Sequence, residues 1–507
     1  MSDKKKRKPE KVKKLKVDKN FSAKVERQSI TAYGMRALRL YGDEVNLDRA
    51  TLDLIDGLKP VHRRELYAAS DLPKGQYVKA ARIVGDTMGR FHPHADSGIY
   101  GGLVTLVQAC TPLVHGEGNW GNILAEPAAM RYTNARLSHF GRAGFDPDYA
   151  NKEVTSFVPN YDDKEVEPVS IPFPLPVILF NGGSGIGYGA ASNIPAFTPE
   201  SVVEVLQRLL QGEKLKAEDF AKTMKPTSKW GGEFVKTKAN REAWMQMFKT
   251  HKASVQFQSP LVVDTLKKTI VIGEWPSGLD PVKFVEEVRS WDETQEVYTS
   301  KGSSQFTIVV KKGYNSVQFD GYVERVQKLT RVKSSYNINV TSRKAIIKDG
   351  VVDYEVALLA LSVPQLVVAW LRARLELELK SLDYRLRKQD VAIAYSKLLI
   401  FASTKLDIII PIVRHSKQPR EELAKKLKIT IEEADQILEL KLRQLTKLDQ
   451  EALKQKLKEQ LAFKEQLLKW KAKPKKKMVT DIDEAMKAIQ ADRDYDKKQK
   501  TQKLVLK

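Results

Sequence analysis

From Val356 to Trp470 the pattern is almost continuously helical, and no other stretch restricts the fold so strongly. Leu375, Leu379, Leu382, Leu386 and Ile393 recur at 4-3-4-7 spacing among charged residues, which is the seam of a coiled coil. Leu453, Leu457, Leu461 and Leu468 mark a second long helix. Shorter helices lie between them, including EEADQILELKLRQLTKLD. Two long helices with a small knob between them suggest an antiparallel arm ending in a contact surface. Spacing alone fits an ordinary helical bundle equally well.

Charge narrows the partners. Lys+Arg number 86 against 63 Asp+Glu, a formal +23, and a surplus of that size points to a polyanion, nucleic acid or an anionic membrane. Much of it lies in KKKRKPEKVKKLK near the start and in KAKPKKK from Lys471. Such runs read as solvated, disordered tails, which does not prevent them from binding phosphate. DRDYD, further on, reads as solvated charge in the same tail. The one cysteine, Cys110, excludes an intramolecular disulfide and a Cys-rich zinc site, and fits a reducing, cytoplasmic setting. The first residues are charged and no apolar core follows them, so no signal peptide is visible. Pro364 breaks one apolar stretch, and Lys405 and Asp407 break another, short of the ~18–20 residues a spanning helix needs. No membrane partner is expected, which leaves nucleic acid.

The chain divides into segments. After the basic arm, Phe21 to Leu40 reads as a helix. Lys59-Pro60 starts another before VHRRELYAA, with proline suited to the first turn. QYVKAARIVGDTMG follows, and Asp96 is placed to cap DSGIYGGLVTLVQAC. The glycine-rich HGEGNWGN then leads towards Tyr132. Three short helices followed by extended chain suit a helix-turn-helix domain with a wing. From Pro159 to Asp353, strand-like runs (PVILF, ASVQFQ, KTIVIGEW, SQFTIVV) alternate with helical ones (PESVVEVLQRLLQG, DPVKFVEEVRSW).

Tyr132, in AAMRYTNARLS, is the candidate nucleophile. Free tyrosine has a pKa near 10, so ionising it at pH 7 costs ~4 kcal/mol, which nearby cations or a general base can supply. Arg131 and Arg136 flank it, RFHPHADS offers a histidine pair, and DRATLDLIDGLKPVHRRELY holds Arg49, His62, Arg63 and Arg64. Clustered Arg and His suit a pentavalent phosphorane, whose added charge needs fixed donors. A tyrosine beside an arginine, taken alone, is usually a packing residue.

DGLKPVHRR, GRFHPHADSGIY and GNWGN…AAMRYTNARLS occur in this order, and together they resemble the breakage-reunion subunit of type IIA DNA topoisomerases, the gyrase A and topoisomerase IV A family. The likeness continues through FVPNYDDKEVEP, LFNGGSGIGYGAASNIP and QILELKLRQLTKLDQEAL, covering about residues 30 to 470. The resemblance implies an α+β multidomain fold. Its parts would be a basic arm (1–20), a winged-helix cleavage domain (21–158), a mixed α/β tower (159–355), a long antiparallel coiled coil with a helical exit gate (356–473), and a basic tail (474–507). It implies that Tyr132 forms a 5′-phosphotyrosyl link, with Arg131 beside it and His94 and Arg49 near the scissile phosphate. Lys59, His62, Arg63, Arg64, His92 and Ser97 match DNA-binding positions, and Ile186, in GSGIG, matches an isoleucine wedged between base pairs. Each arginine also fits a generic phosphate contact, and Ile186 a core position.

The resemblance further implies double-stranded DNA as substrate and a homodimer through the coiled-coil gate, completed to a heterotetramer by an ATPase/toprim (gyrase B or topoisomerase IV B-like) subunit. That partner would bind both Mg²⁺ and ATP, and no metal ligand is assigned to this chain. GSGIGYGA has a formal G-x-G-x-x-A, but Pro195 leaves room for a short turn where a dinucleotide fold needs a full helix, and no GxxxxGK[ST] occurs. Three positions depart from the family pattern: Ala95 stands where glycine is usual, Ile55 where arginine is, and Gly101 where an acidic residue four after Ser97 helps bind quinolones. Weak quinolone sensitivity is therefore expected. The DNA-wrapping propeller of gyrase and its Q-R-R-G-G-K-G motif are not in the sequence, so relaxation and decatenation are expected rather than negative supercoiling. In this the chain is similar to stand-alone cleavage subunits of phage topoisomerases. The competing reading is a non-catalytic winged-helix protein that binds or bridges DNA.

Overall fold

The computed structural model describes residues 29–505 apart from 190, 300–303, 349–350 and 440–446. The basic arm at 1–20 and the helix start expected at Phe21 lie outside the described residues. Helix α1 (Ile30–Val45) leads into a wider π-helical turn, Asn46–Ala50. Then follow α2 (Pro60–Ser70), β1 (Val78–Lys79), α3 (Ala80–Arg90), α4 (Asp96–Val107), β2 (Val114–Glu117), β3 (Asn134–Leu137) and the short α5 (His139–Ala143). Pro60 occupies the first turn of α2, where its missing N–H costs nothing. The cap of α4 is Ala95 and not Asp96, whose carboxylate instead accepts the Ser97 N–H at 2.8 Å within the first turn. The strands form an antiparallel sheet in the order β1-β3-β2, with Val78 opposite Ala135 and His115 opposite Arg136. Leu66, Ile83, Ile99, Leu103 and Phe140 fill the space between helices and sheet.

In the middle of the chain ASVQFQ, KTIVIGEW and SQFTIVV form strands Lys252–Gln258, Thr269–Ile272 and Phe306–Val310 as expected. PVILF does not. It forms the buried helix Val177–Asn181, ended by Gly182 at φ +56°. A short apolar run buried on every side carries no period to separate helix from strand. A five-stranded sheet contains Gly183–Ile186 and Ala191–Ile194 at one edge. A four-stranded antiparallel sheet packs its own core of Ile270, Trp275, Phe284, Ile308 and Phe319. The helix expected from Val356 begins later, because Val351–Ala360 pairs with Asn339–Lys348 as a hairpin. Ser362 then caps the first arm helix, its N–H donating to Gln365 Oε1 at 2.8 Å, with Pro364 in the first turn.

The first arm helix (Val363–Ser403) packs on the second (Lys447–Ala472). Their contacts show that they run antiparallel: Gln389 Nε2 donates to the Gln460 carbonyl (2.8 Å), Lys464 pairs with Asp390 (2.6 Å), and Lys471 pairs with Asp383. Leu382 and Ile393 are buried as expected, whereas Leu379, Leu461 and Leu468 are exposed. The second seam runs instead through Leu453, Leu457, Gln460, Lys464 and Leu467. Lys464 pairs across the arm through its side chain and Gln460 through its backbone carbonyl, and polar residues at seam positions hid the register from a count of leucines. Beyond the arm, helices Leu406–His415, Pro419–Leu427 and Ile431–Leu438 close around Ile409, Ile412, Leu423 and Ala434.

Residues 474–505 are not a solvated tail. Pro474–Val505 is a helix that returns to the first domain, burying Met478, Ile482, Ala485 and Ile489 in the main core. The acidic DRDYD segment belongs to it, and Asp492 is buried. No described helix is long and apolar enough to cross a membrane.

Candidate active site

The backbone around Tyr132 is fixed by the ends of neighbouring elements. The first two N–H groups of α3, which have no partner within their own helix, donate to the carbonyls of Thr133 (from Ala80, 3.0 Å) and Met130 (from Ala81, 3.3 Å). From α4, the Tyr100 hydroxyl donates to the Ala128 carbonyl at 2.6 Å and meets Thr133 Oγ1 at 3.0 Å. Gly118 holds φ +99°, and a β-carbon there would stand 3.3 Å from the Tyr132 carbonyl oxygen. A tightly held backbone thus carries a side chain that is 63% exposed. The Arg131 guanidinium lies 4.6 Å from its ring centroid.

A second group lies at the ends of α2 and α3. The His92 and His94 rings stack at 4.2 Å, and His94 is exposed. Arg64 donates to His92 Nδ1 at 2.9 Å while forming a bidentate pair with Glu167 (2.7 Å each). An imidazole that accepts at Nδ1 carries its proton on Nε2. Burial, then the charges of Arg64, His94 and Arg49, push the His92 pKa down to about 4, which places the exposed Arg49 in this neighbourhood. Burial, then Lys59 and Arg63, does the same to His62, also to about 4, and burial lowers Lys59. The result is a set of cations and neutral imidazoles with partly exposed surfaces, suited to phosphate oxygens. Ser97 is exposed at the start of α4. Among the described residues, no hydrogen bond or ring contact joins Tyr132 to Arg49, His92 or His94.

Arg63 departs from the expected DNA contact. It is 5% exposed and faces inward, its Nε 2.6 Å from Asp56 Oδ2 and its Nη2 3.0 Å from Asp56 Oδ1. Asp56 also accepts the N–H groups of Leu58 and Ile171, so the pair fixes the loop before α2. Consecutive arginines on a helix point about 100° apart, so Arg63 and Arg64 could not share one surface. Sequence reading also missed their acidic partners: Asp56 is visible in DGLKP, but Glu167 lies over a hundred residues away.

Ile186 stands at the tip of the hairpin Gly183–Ile186/Ala191–Ile194 and is 91% exposed, which excludes the core alternative. The hairpin abuts the Arg49 turn. A β-carbon on Gly185 would lie 1.8 Å from the Ala50 carbonyl, and Asn46 exchanges two hydrogen bonds with the Tyr188 backbone (2.8 and 2.9 Å). GSGIG is therefore a strand and not a phosphate-binding turn before a helix.

The chain is similar to known proteins over most of its length. A family model for the A subunit of DNA gyrase/topoisomerase IV matches residues 49–487. The A subunit of DNA topoisomerase 4 from Caulobacter vibrioides is 31% identical over 418 residues, 79% of this chain and 53% of that protein. The A subunit of DNA gyrase from Chlamydia pneumoniae is 29% identical over 454 residues, 84% of this chain and 52% of that protein. The A subunit of DNA topoisomerase 4 from Haemophilus influenzae is 29% identical over 450 residues, 85% of this chain and 58% of that protein. The chain spans about half the length of the curated relatives it matches.

Proposed function

Because the chain belongs to the A-subunit family of DNA gyrase and topoisomerase IV, we propose that it cuts and rejoins duplex DNA as the cleavage subunit of a type II topoisomerase. The observation that carries this reading is the exposed Tyr132 side chain on a fixed backbone, with Arg131 against its ring. Tyr132 Oη attacks a phosphorus, the P–O3′ bond breaks, the phenolic proton passes to a base and the 3′ oxygen takes up a proton. The phosphotyrosyl ester conserves the bond energy, so the reverse step reseals the strand without fuel.

In this proposal Arg131 stabilises the transition state, and Arg49 and His94 hold the scissile phosphate. Lys59, His62, Arg64, His92 and Ser97 contact the backbone. Ile186 enters the stack and bends the duplex. Helices α2–α4 with the β1-β3-β2 sheet act as a winged-helix domain, the central sheets as a tower, and the arm with its terminal helices as the gate of a homodimer. One tyrosine per strand then makes a double-strand break. Mg²⁺ and ATP would be bound by an ATPase/toprim partner in a heterotetramer, Mg²⁺ supplying charge stabilisation beside the phosphate. The proposed outcome is relaxation and decatenation. A plasmid assay that returns negatively supercoiled DNA from a relaxed substrate overturns that part.

The test is a covalent protein–DNA adduct trapped by denaturant in the presence of Mg²⁺ and the ATPase/toprim partner. Tyr132→Phe should abolish the adduct and keep DNA binding. An adduct that persists in this variant moves the nucleophile elsewhere. Its absence from the unmodified chain favours a non-catalytic DNA-bridging protein.

A further inference from the structure

We propose that His115, His139 and Asp492 form a site for one zinc-type divalent cation, which clips the returning C-terminal helix to the sheet next to Tyr132. The three residues come from three elements: β2, α5 and the helix Pro474–Val505. Their potential ligand atoms all lie within 4.8 Å of one another. His115 Nε2 is 3.2 Å and His139 Nδ1 2.6 Å from the same oxygen, Asp492 Oδ1.

His115 is the unusual member. It is 3% exposed, its Nδ1 has no hydrogen-bond partner, and its Nε2 has Asp492 Oδ1 at 3.2 Å without hydrogen-bond geometry. Leaving a buried polar group unpaired is unfavourable, and an ion on Nε2 would satisfy the ring nitrogen that faces Asp492. Its ring is held by stacking on Tyr495 at 4.7 Å, and the Tyr495 hydroxyl meets that of Tyr77 at 2.6 Å. Asp492 is equally constrained, because it accepts the backbone N–H groups of His139 (2.8 Å) and Phe140 (2.9 Å). Such second bonds orient a ligating carboxylate. Arg136 lies over the Tyr495 ring at 4.8 Å and is not one of the three.

Ligand atoms around a tetrahedral zinc ion stand about 3.3 Å apart. The His115–Asp492 separation already matches. His139 must swing outward by several tenths of an ångström, and its side chain is 42% exposed and at the surface. That open side leaves a fourth position for water. Two imidazoles and one carboxylate suit Zn²⁺ or a similar borderline ion over Mg²⁺ or Ca²⁺, which prefer oxygen-only shells. β2 pairs with β3, which begins two residues after Tyr132, so the clip would tie the arm's return to the strands supporting the nucleophile.

The experiment loads the full metal-stripped chain with Zn²⁺ alone, removes loose metal by gel filtration and measures retained zinc by mass spectrometry, with a chromogenic chelator in competition. The expected result is one zinc per chain, undisturbed by millimolar Mg²⁺, and affinity at least ~10-fold weaker in His139→Ala and in Asp492→Asn. His139→Ala replaces an exposed imidazole and is expected to fold, which far-UV circular dichroism checks. His94→Ala, which removes a histidine of the other cluster, should retain the metal. Zinc that is not retained, or retained equally by His139→Ala, or lost in His94→Ala alone, overturns the site.

Discussion

Replacing Arg63 by methionine separates a structural arginine from a DNA contact. The Arg63–Asp56 pair is buried on both sides, 5% and 0% exposed, with two hydrogen bonds of 2.6 and 3.0 Å. Without the guanidinium, Asp56 keeps only the Leu58 and Ile171 N–H groups, fixed donors that cannot neutralise it. Breaking a buried pair from one side costs about 3–5 kcal/mol. At about 2–4 °C per kcal/mol for a unit of 150–250 residues, Tm should fall by roughly 6–20 °C. Pairing Arg63→Met with Asp56→Asn should recover part of the loss, because the unpaired buried charge is removed while the amide oxygen can still accept a backbone N–H. DNA binding, measured below the new Tm against salt, should keep its slope of log K on log salt. A lost phosphate contact would instead lower that slope by about 0.9. A variant that melts like the wild type and shows the shallower slope would falsify the structural assignment of Arg63.

Three further outcomes are expected. Burial raises the Glu65 carboxyl well above its usual range, so the folded chain keeps a proton that the unfolded chain releases above about pH 4.3. Stability then falls as pH rises, by about 1.4 kcal/mol per unit until the folded pKa is passed, and Glu65→Gln should remove this slope from the Tm–pH curve; parallel curves for the two proteins refute it. Gly185→Ala would push a β-carbon to 1.8 Å from the Ala50 carbonyl. It should cost about 1–3 kcal/mol and displace the Ile186 hairpin from Arg49, measured as lost DNA cleavage together with a lower Tm, and unchanged cleavage counts against the contact. Gly101 is exposed on α4 with open space around it, so Gly101→Asp should fold normally and increase quinolone-stabilised cleavage; an unchanged drug response defeats that idea.

Much of the molecule was legible in local pattern. The proline that opens α2 and the seam through Leu382 and Ile393 depend on residue type and short spacing, which a sequence displays directly, whereas Tyr132 is singled out by the resemblance of the motifs around it. The return helix was legible too, since Met478, Ile482, Ala485 and Ile489 keep 4-3-4 spacing, but the surrounding lysines masked the stripe. What the sequence could not decide was which polar groups face one another. Arg63 turns inward and Arg64 outward because Asp56 and Glu167 arrive from different directions. Lys464 sits in the arm's seam with Asp390 opposite. Asp492 meets His115 and His139 across more than 350 positions. A hydrophobic period can be read along one element, but the partner of a buried charge is known only after the elements pack, because the Coulomb and hydrogen-bond terms act over a few ångströms of space and not along the chain.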